Sequence, residues 1–312
     1  MSAATYSTVF EPRFLAIYMM FTYLIHRNKK YPRRTFTFIS GDDIIYKHEK
    51  IYTRPARELF AGRKGITAMK TRGTKALVTG GSRGIGFGIA RRLTLDGVKV
   101  VITGRNEKTL REAAERIGAD YIVWDIADTD VMRENFDRAK EMLGGLDILV
   151  SNAGVLTPAH EWGMSMLELT PEEWDNVMNV NLRGAYFMMQ TAVRHMYENK
   201  IRGNVLNIAS VAATEPFYGP YYTSKAGVVG LTRGWGKQFA PYGIVINGIG
   251  PGPVATEMNG WHEGDPMDHS RIPTGRYLTV EEVSSLAMYM LSDEATQMIG
   301  ETVMIDGGYD IK

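Results

Sequence analysis

The chain has no cysteine, which excludes a disulfide scaffold, thiolate metal sites and a cysteine nucleophile, and leaves a cytoplasmic address unopposed. It has no charge excess either: 36 Lys and Arg stand against 35 Asp and Glu, so no overall basic field exists to attract nucleic acid. The six histidines make no HxxxH or HExxH pair, and a metal site is not expected. Long apolar runs are missing as well. The longest near the N-terminus, Phe14 to Ile25, has 12 residues, short of the roughly 20 that a bilayer-spanning helix needs. Only Arg13 precedes that run as a base and no clear small-residue cleavage site follows, which argues against a secretory signal.

What is present suits a folded chain: 312 residues, 44% hydrophobic and 23% charged, can bury a large core in one big domain or two modest ones. The near-zero net charge hides an asymmetry. Residues 1–68 carry 12 Lys and Arg against 5 Asp and Glu, whereas the remainder carries 24 against 30. We therefore divide the chain into a basic N-terminal extension, 1–68, disordered or accessory, and one domain, 69–312. A targeting presequence, or a natural start at Met69, are the other readings of the extension.

From Thr74 onward, short β-branched runs alternate with amphipathic stretches, the pattern of a parallel sheet wrapped by helices. Strands are expected at 75–79, 98–103, 121–124, 146–151, 203–209, 243–249 and 301–305, with a helix from Gly84 to Asp96 after the first. Right-handed crossovers then give an α/β fold, a doubly wound sheet of about seven parallel strands, with ligands beyond the strands' carboxyl ends. The first such end reads Thr79-Gly80-Gly81-Ser82-Arg83-Gly84-Ile85-Gly86. Glycines there let the backbone turn tightly and approach a pyrophosphate, whose charge would sit at the positive end of the following helix. The same turn without a ligand is the plainer alternative.

The spacing GxxxGxG after a strand resembles that of the short-chain dehydrogenase/reductase family, and the resemblance runs nearly to the C-terminus. Trp124-Asp125-Ile126 looks like the family's adenine-contacting acidic position. Ser151-Asn152-Ala153-Gly154 is similar to its NNAG element, with Ser for the first Asn. Asn181 in NVNLRGAYF, Ser210 in NIAS, the pair Tyr221 and Lys225 in YYTSKAG, and Pro251-Gly252 with Thr256 in PGPVAT complete the match. The family's Rossmann fold, a nicotinamide cofactor and a homotetramer built through the helices bearing Asn181 and Tyr221 and through the last strand are implied with it. By motif position the resemblance carries cofactor contacts onto Gly80, Ser82, Arg83, Gly84, Ile85, Gly86, Asp125, Ile126, Asn152, Ala153, Gly154, Tyr221, Lys225, Pro251, Gly252, Val254 and Thr256.

The chemistry also follows from the residues themselves. Tyr221 and Lys225 are four apart, so on a helix both project from one face. A free tyrosine has a pKa near 10, and an ammonium within about 4–6 Å brings it down by roughly 1–3 pH units, toward the range where acid-base catalysis works. An exposed helix face would show the same spacing with no such meaning. Tyr222 is a poor competitor because its i+4 neighbour is Ala226. Ser210, eleven positions before Tyr221, can donate a hydrogen bond to a substrate oxygen, or it can simply cap a turn. The resemblance gives Asn181 a place in a water relay to Lys225, with Asn179 as its competitor.

Cofactor choice should be written at the end of the second strand, Thr103-Gly104-Arg105-Asn106. Gly104 stands where an NAD-preferring relative has an acid, and Arg105, with Arg83 opposite, could grip a ribose 2′-phosphate. NADP is therefore the expected cofactor, and the expected reaction is hydride transfer between it and a carbonyl or secondary alcohol. NAD-linked alcohol oxidation is the alternative within enzymes, and a noncatalytic dinucleotide sensor the alternative outside them. The segment Glu257 to Ile272 occupies the place of a substrate lid, with Met258, Trp261, His262, Met267 and His269 as pocket candidates. Acyl thioesters, steroids or other cyclic ketones, and sugars or polyols stay open as substrates, and family habit makes an acyl-carrier-protein reductase-like activity the default.

Overall fold

Seven short segments rich in Val, Ile and Leu become strands, the inner ones buried on both faces, as strands covered by helices on two sides must be, and the two edge ones only in part. In a computed structural model, which describes residues 70–156, 166–215 and 219–311, they are β1 Lys75–Thr79, β2 Lys99–Gly104, β3 Asp120–Val123, β4 Ile148–Ser151, β5 Asn204–Ile208, β6 Val245–Pro251 and β7 Thr302–Ile305. All pair in parallel, in the order β3-β2-β1-β4-β5-β6-β7. The strands expected from the sequence are all present, with ends displaced by one or two residues. The expected extension, residues 1–68, lies outside the described residues.

The pleat sends alternate side chains into two cores. Ala76, Val78, Val100, Ile102, Ile148 and Val150 pack with α1 (Gly84–Leu95), α2 (Glu107–Ile117) and α7 (Val280–Met290). Leu77, Val101, Leu149 and Val205 pack on the other face with α3 (Met132–Leu143) and α5 (Ala185–Glu198), where Leu231, Trp235 and Phe239 of α6 (Pro220–Phe239) also lie. Burying one such Leu or Ile contributes about 1.5–3 kcal/mol. Helix α4 (Pro171–Met178) starts on a Thr170/Glu173 capping box and runs through a π-helical turn, Asn179–Gly184, into α5.

Two features set the site. The strand order reverses between β1 and β4, so the loops after them diverge and leave a crevice beyond their carboxyl ends. Helix α6 is pressed against the sheet: a Cβ on Gly236 would come within 2.6 Å of the Gly300 Cα, and buried Asn207 of β5 donates to Thr232 Oγ1 at 2.9 Å. That contact fixes the helix that carries Tyr221 and Lys225. Among the described residues no helix is long and apolar enough to cross a membrane.

Candidate active site

The crevice is a cleft of about 1090 Å³. One end is built by the glycine loop after β1. Gly80 and Gly84 have φ of +65° and +54°, values that L side chains rarely adopt, and a Cβ on Gly86 would lie 2.3 Å from the Gly80 carbonyl. The loop is stapled to β4 by Asn152, whose Nδ2 donates to the carbonyls of Thr79 (2.9 Å) and Gly80 (3.0 Å). In return the Thr79 hydroxyl accepts from the amides of Asn152 and Ala153. Helix α1 then begins with no side-chain cap bond and no acid in its first turn. Its first amides are thus left to an anion.

The floor at this end holds Gly104, Arg105 and Asp125, with Thr256 facing Gly84. Arg105 Nη1 lies 4.0 Å from Asp125 Oδ2, and both side chains are largely solvent-exposed. Arg83 reaches across the cleft mouth to Glu257, a partner not foreseen from the sequence. Gly104 faces the glycine loop, since a Cβ there would stand 3.7 Å from Ser82 Oγ. Ile85, Ile126, Gly154, Pro251, Gly252 and Val254 line the same cleft. Gly86 and Gly81 act from behind by letting backbones approach.

At the other end, Gly219 and Pro220 open α6, placing Tyr221 in its first turn and Lys225 one turn on. Lys225 is 5% exposed, its ammonium donates to the Ile208 carbonyl at 2.9 Å, and it sits 5.7 Å from the centre of the Tyr221 ring. Burial in this low-dielectric spot lowers its pKa from 10.5 to about 8. Ser210 caps a short 3₁₀ turn: its oxygen accepts the Ala212 amide at 3.1 Å, which leaves the hydroxyl proton available to a substrate. Asn181 lies buried in the π-helical turn. Its Oδ1 accepts the Val155 amide (2.8 Å) and its Nδ2 donates to the Val155 carbonyl (2.9 Å) and to Ser224 Oγ (3.2 Å). Ser224 in turn donates to the Tyr221 carbonyl.

The structure thus brings Ser210, Tyr221 and Lys225 into one cleft with the glycine loop, and Asn181 beside it. Of the lid candidates, Met258, Trp261, His262 and Met267 line the cleft, whereas His269 packs edge-on against Tyr277. Thr79, Ser224, the Ile208 carbonyl and Glu257 were not singled out in the sequence. The first two could have been, since each adjoins a motif residue.

A glycine cradle at a strand-order reversal, joined to a buried amine beside a phenol, defines a dinucleotide-dependent oxidoreductase. The match to the family described as Enoyl-(Acyl carrier protein) reductase spans residues 80–310. The chain belongs to the short-chain dehydrogenase/reductase family, oxidoreductases that act on CH–OH or carbonyl groups. It is 34% identical over 250 residues to gluconate 5-dehydrogenase of Gluconobacter oxydans, covering 77% of this chain and 95% of that one. To 3-oxoacyl-[acyl-carrier-protein] reductase of Aquifex aeolicus it is 31% identical, covering 77% and 98%. A short-chain dehydrogenase from Burkholderia cenocepacia, solved in complex with NADP, superposes with a TM-score of 0.67 at 33% identity, covering 77% and 99%.

Proposed function

We propose that this chain is an NADP-dependent oxidoreductase that interconverts a carbonyl and a secondary alcohol, with Tyr221 as the acid/base. The observation that carries the reading is the placement of Tyr221 and the buried Lys225 on one turn of α6, in the cleft whose far end is the glycine cradle. When bound, the reduced dinucleotide supplies the hydride. Gly80, Ser82, Gly84 and the open amides of α1 hold its pyrophosphate, and Asp125, Ile126, Asn152, Ala153, Gly154, Pro251, Gly252, Val254 and Thr256 line its course. Arg105, with Arg83, takes the 2′-phosphate. The absence of a carboxylate at Gly104 supports NADP over NAD, and the NADP-bound relative is consistent with it.

In reduction, Tyr221 Oη gives its proton to the substrate oxygen while Ser210 donates a second hydrogen bond to the same oxygen. In oxidation Tyr221 takes the proton back. Lys225 keeps positive charge near the phenol: with a pKa of about 8 it is roughly nine-tenths protonated at pH 7. Asn181 acts by position. It ties the loop after β4 to α6 and so supports a water relay to Lys225.

We further propose a catalytic domain starting at Met69, a cytoplasmic location and a homotetramer. Half-exposed β7 at the sheet edge and exposed Trp174 of α4 are surfaces suited to the last. The test is a carbonyl screen followed by NADPH absorbance, with kcat/KM compared for NADPH and NADH, on the full chain and on a chain beginning at Met69. Preferred NADPH turnover in both chains is expected. Tight NADPH binding without turnover on any carbonyl, unchanged by Tyr221→Phe, would replace the enzyme with a dinucleotide sensor.

A further inference from the structure

Charges of both signs line the cleft, so its selectivity for a charged cofactor depends on which of them touch. The two arginines assigned above to the 2′-phosphate each face a carboxylate. Arg105 Nη1 is 4.0 Å from Asp125 Oδ2, at the limit of an ion pair, whereas Arg83 donates directly to Glu257. Glu257 opens a short 3₁₀ turn, Glu257–Asn259, at the root of the lid segment, and that root is fixed. The Ala255 amide donates to the Leu278 carbonyl at 2.8 Å, Asn259 Nδ2 donates to the Val254 carbonyl at 2.8 Å, and the amides of Asn259 and Trp261 both donate to the Thr256 carbonyl. Thr256 in turn reaches the glycine loop, where its Cγ2 would lie 3.5 Å from a Cβ on Gly84. Glu257 therefore stays beside the loop when the Arg83 side chain turns elsewhere.

We propose that Glu257 is a cofactor-selectivity residue that competes with the 2′-phosphate for Arg83. The inference rests on the reading of Arg83 as a 2′-phosphate ligand. A guanidinium offers several donors, but a carboxylate and a phosphate held by the same fork set like charges close together, which costs affinity. A cofactor with a 2′-phosphate must open the Arg83–Glu257 pair to gain its contact, whereas one with a free 2′-hydroxyl can bind with the pair intact. Both side chains are mostly exposed, 73% and 59%, so the pair given up corresponds to about two- to fivefold in affinity and not to orders of magnitude. The chain then binds NADPH less tightly than its two arginines would allow, and the carboxylate that sets this limit comes from the lid segment and not from the end of β2.

Fluorescence titration of NADPH and of NADH into the full chain at low ionic strength tests this, with Kd compared for the wild type, Glu257→Gln, Arg83→Ala and the double variant. Glu257→Gln should shift the ratio of the two Kd values toward NADPH by about two- to fivefold. Arg83→Ala should shift it toward NADH by about fivefold or more, and adding Glu257→Gln should then bring no further gain, because the contested guanidinium is gone. A ratio that does not move in Glu257→Gln, whether both cofactors gain equally or neither does, overturns the proposal, as does a gain that persists without Arg83. If Arg83→Ala weakens NADPH selectively while Glu257→Gln changes nothing, Arg83 remains a 2′-phosphate ligand and only the role of Glu257 falls. A ratio unmoved by Arg83→Ala overturns that reading of Arg83, and this inference with it.

Discussion

Replacing Lys225 with Met should make the protein more stable and nearly inactive. The ammonium is buried, and its pKa is lowered from 10.5 to about 8 by desolvation alone. At about 1.4 kcal/mol per pH unit, that depression corresponds to roughly 3 kcal/mol of penalty carried by the folded state at pH 7. Met fills a similar volume without charge but forfeits the bond to the Ile208 carbonyl, about 1–2 kcal/mol. A net gain of about 1–2 kcal/mol remains, equivalent to about 3–6 °C in Tm for a domain of this size. The sign has a pH signature. Because the folded pKa is the lower one, the unfolded chain holds the extra proton between about pH 8 and 10.5, and the wild type gains stability as pH rises through that window. The advantage of Lys225→Met is therefore constant below about pH 8, vanishes between about pH 9 and 10, and is reversed near 10.5, where only the lost bond to the Ile208 carbonyl remains. Thermal unfolding of both proteins from pH 6.5 to 10.5, alongside NADPH turnover, measures this. A variant that melts below the wild type at pH 7, or a difference that does not change with pH, would refute the reasoning.

Tyr221→Phe removes only the hydroxyl, so kcat/KM for reduction should fall about 10²–10⁴-fold while NADPH affinity, read by fluorescence titration, changes less than about threefold. The pH profile of kcat/KM for reduction should decline as pH rises past about 8, where Lys225 loses its proton; a profile still rising from pH 8 to 9.5 contradicts that assignment. Arg105→Ala should raise the KM for NADPH about tenfold and leave that for NADH within about twofold, the cost of one charge-assisted phosphate contact. Gly86→Ala places a methyl 2.3 Å from the Gly80 carbonyl and 2.4 Å from Asn152 Nδ2, and calorimetry should show NADPH binding weakened more than tenfold. Native affinity in that variant would mean that the glycine cradle is not the cofactor site.

The strands were legible because burial on both faces leaves an apolar run that little else produces, and KALVT is β1 to the residue. Tyr221 and Lys225 were legible because helical spacing is a property of sequence, and the structure adds only their distance and burial. What sequence could not reveal belongs to the backbone or to long range. The carbonyl that holds Lys225 comes from Ile208, a residue whose side chain says nothing of that role. Arg83 and Glu257 are 174 positions apart, and two charges on loops announce no pairing. The π-helical turn at Asn179–Gly184 is likewise silent, since its sequence NVNLRG has no proline or other local break to mark a change of helical pitch.

That turn explains why an asparagine stands there. Both donors of its Nδ2 are committed, to the Val155 carbonyl and to Ser224, and its Oδ1 already accepts the Val155 amide, so the Asn181 side chain has at most one acceptor site left for a water relay of the kind proposed. Main-chain groups are a further source of partners, since a π-helical turn is where a helix loosens its own carbonyls from the regular i→i−4 ladder. Gly184 lets this turn press against the loop after β3, where a Cβ would meet the Ile126 carbonyl at 2.6 Å. Gly154 keeps the opposite side open: a Cβ there would lie 3.4 Å from Asn181 Oδ1 and 3.6 Å from Lys225 Nζ. The wall of the site next to the buried amine is therefore shaped by two glycines and one asparagine clamp. Tyr221 is tied to the same clamp through Ser224, so any shift of the π-helical turn is transmitted to the phenol's backbone.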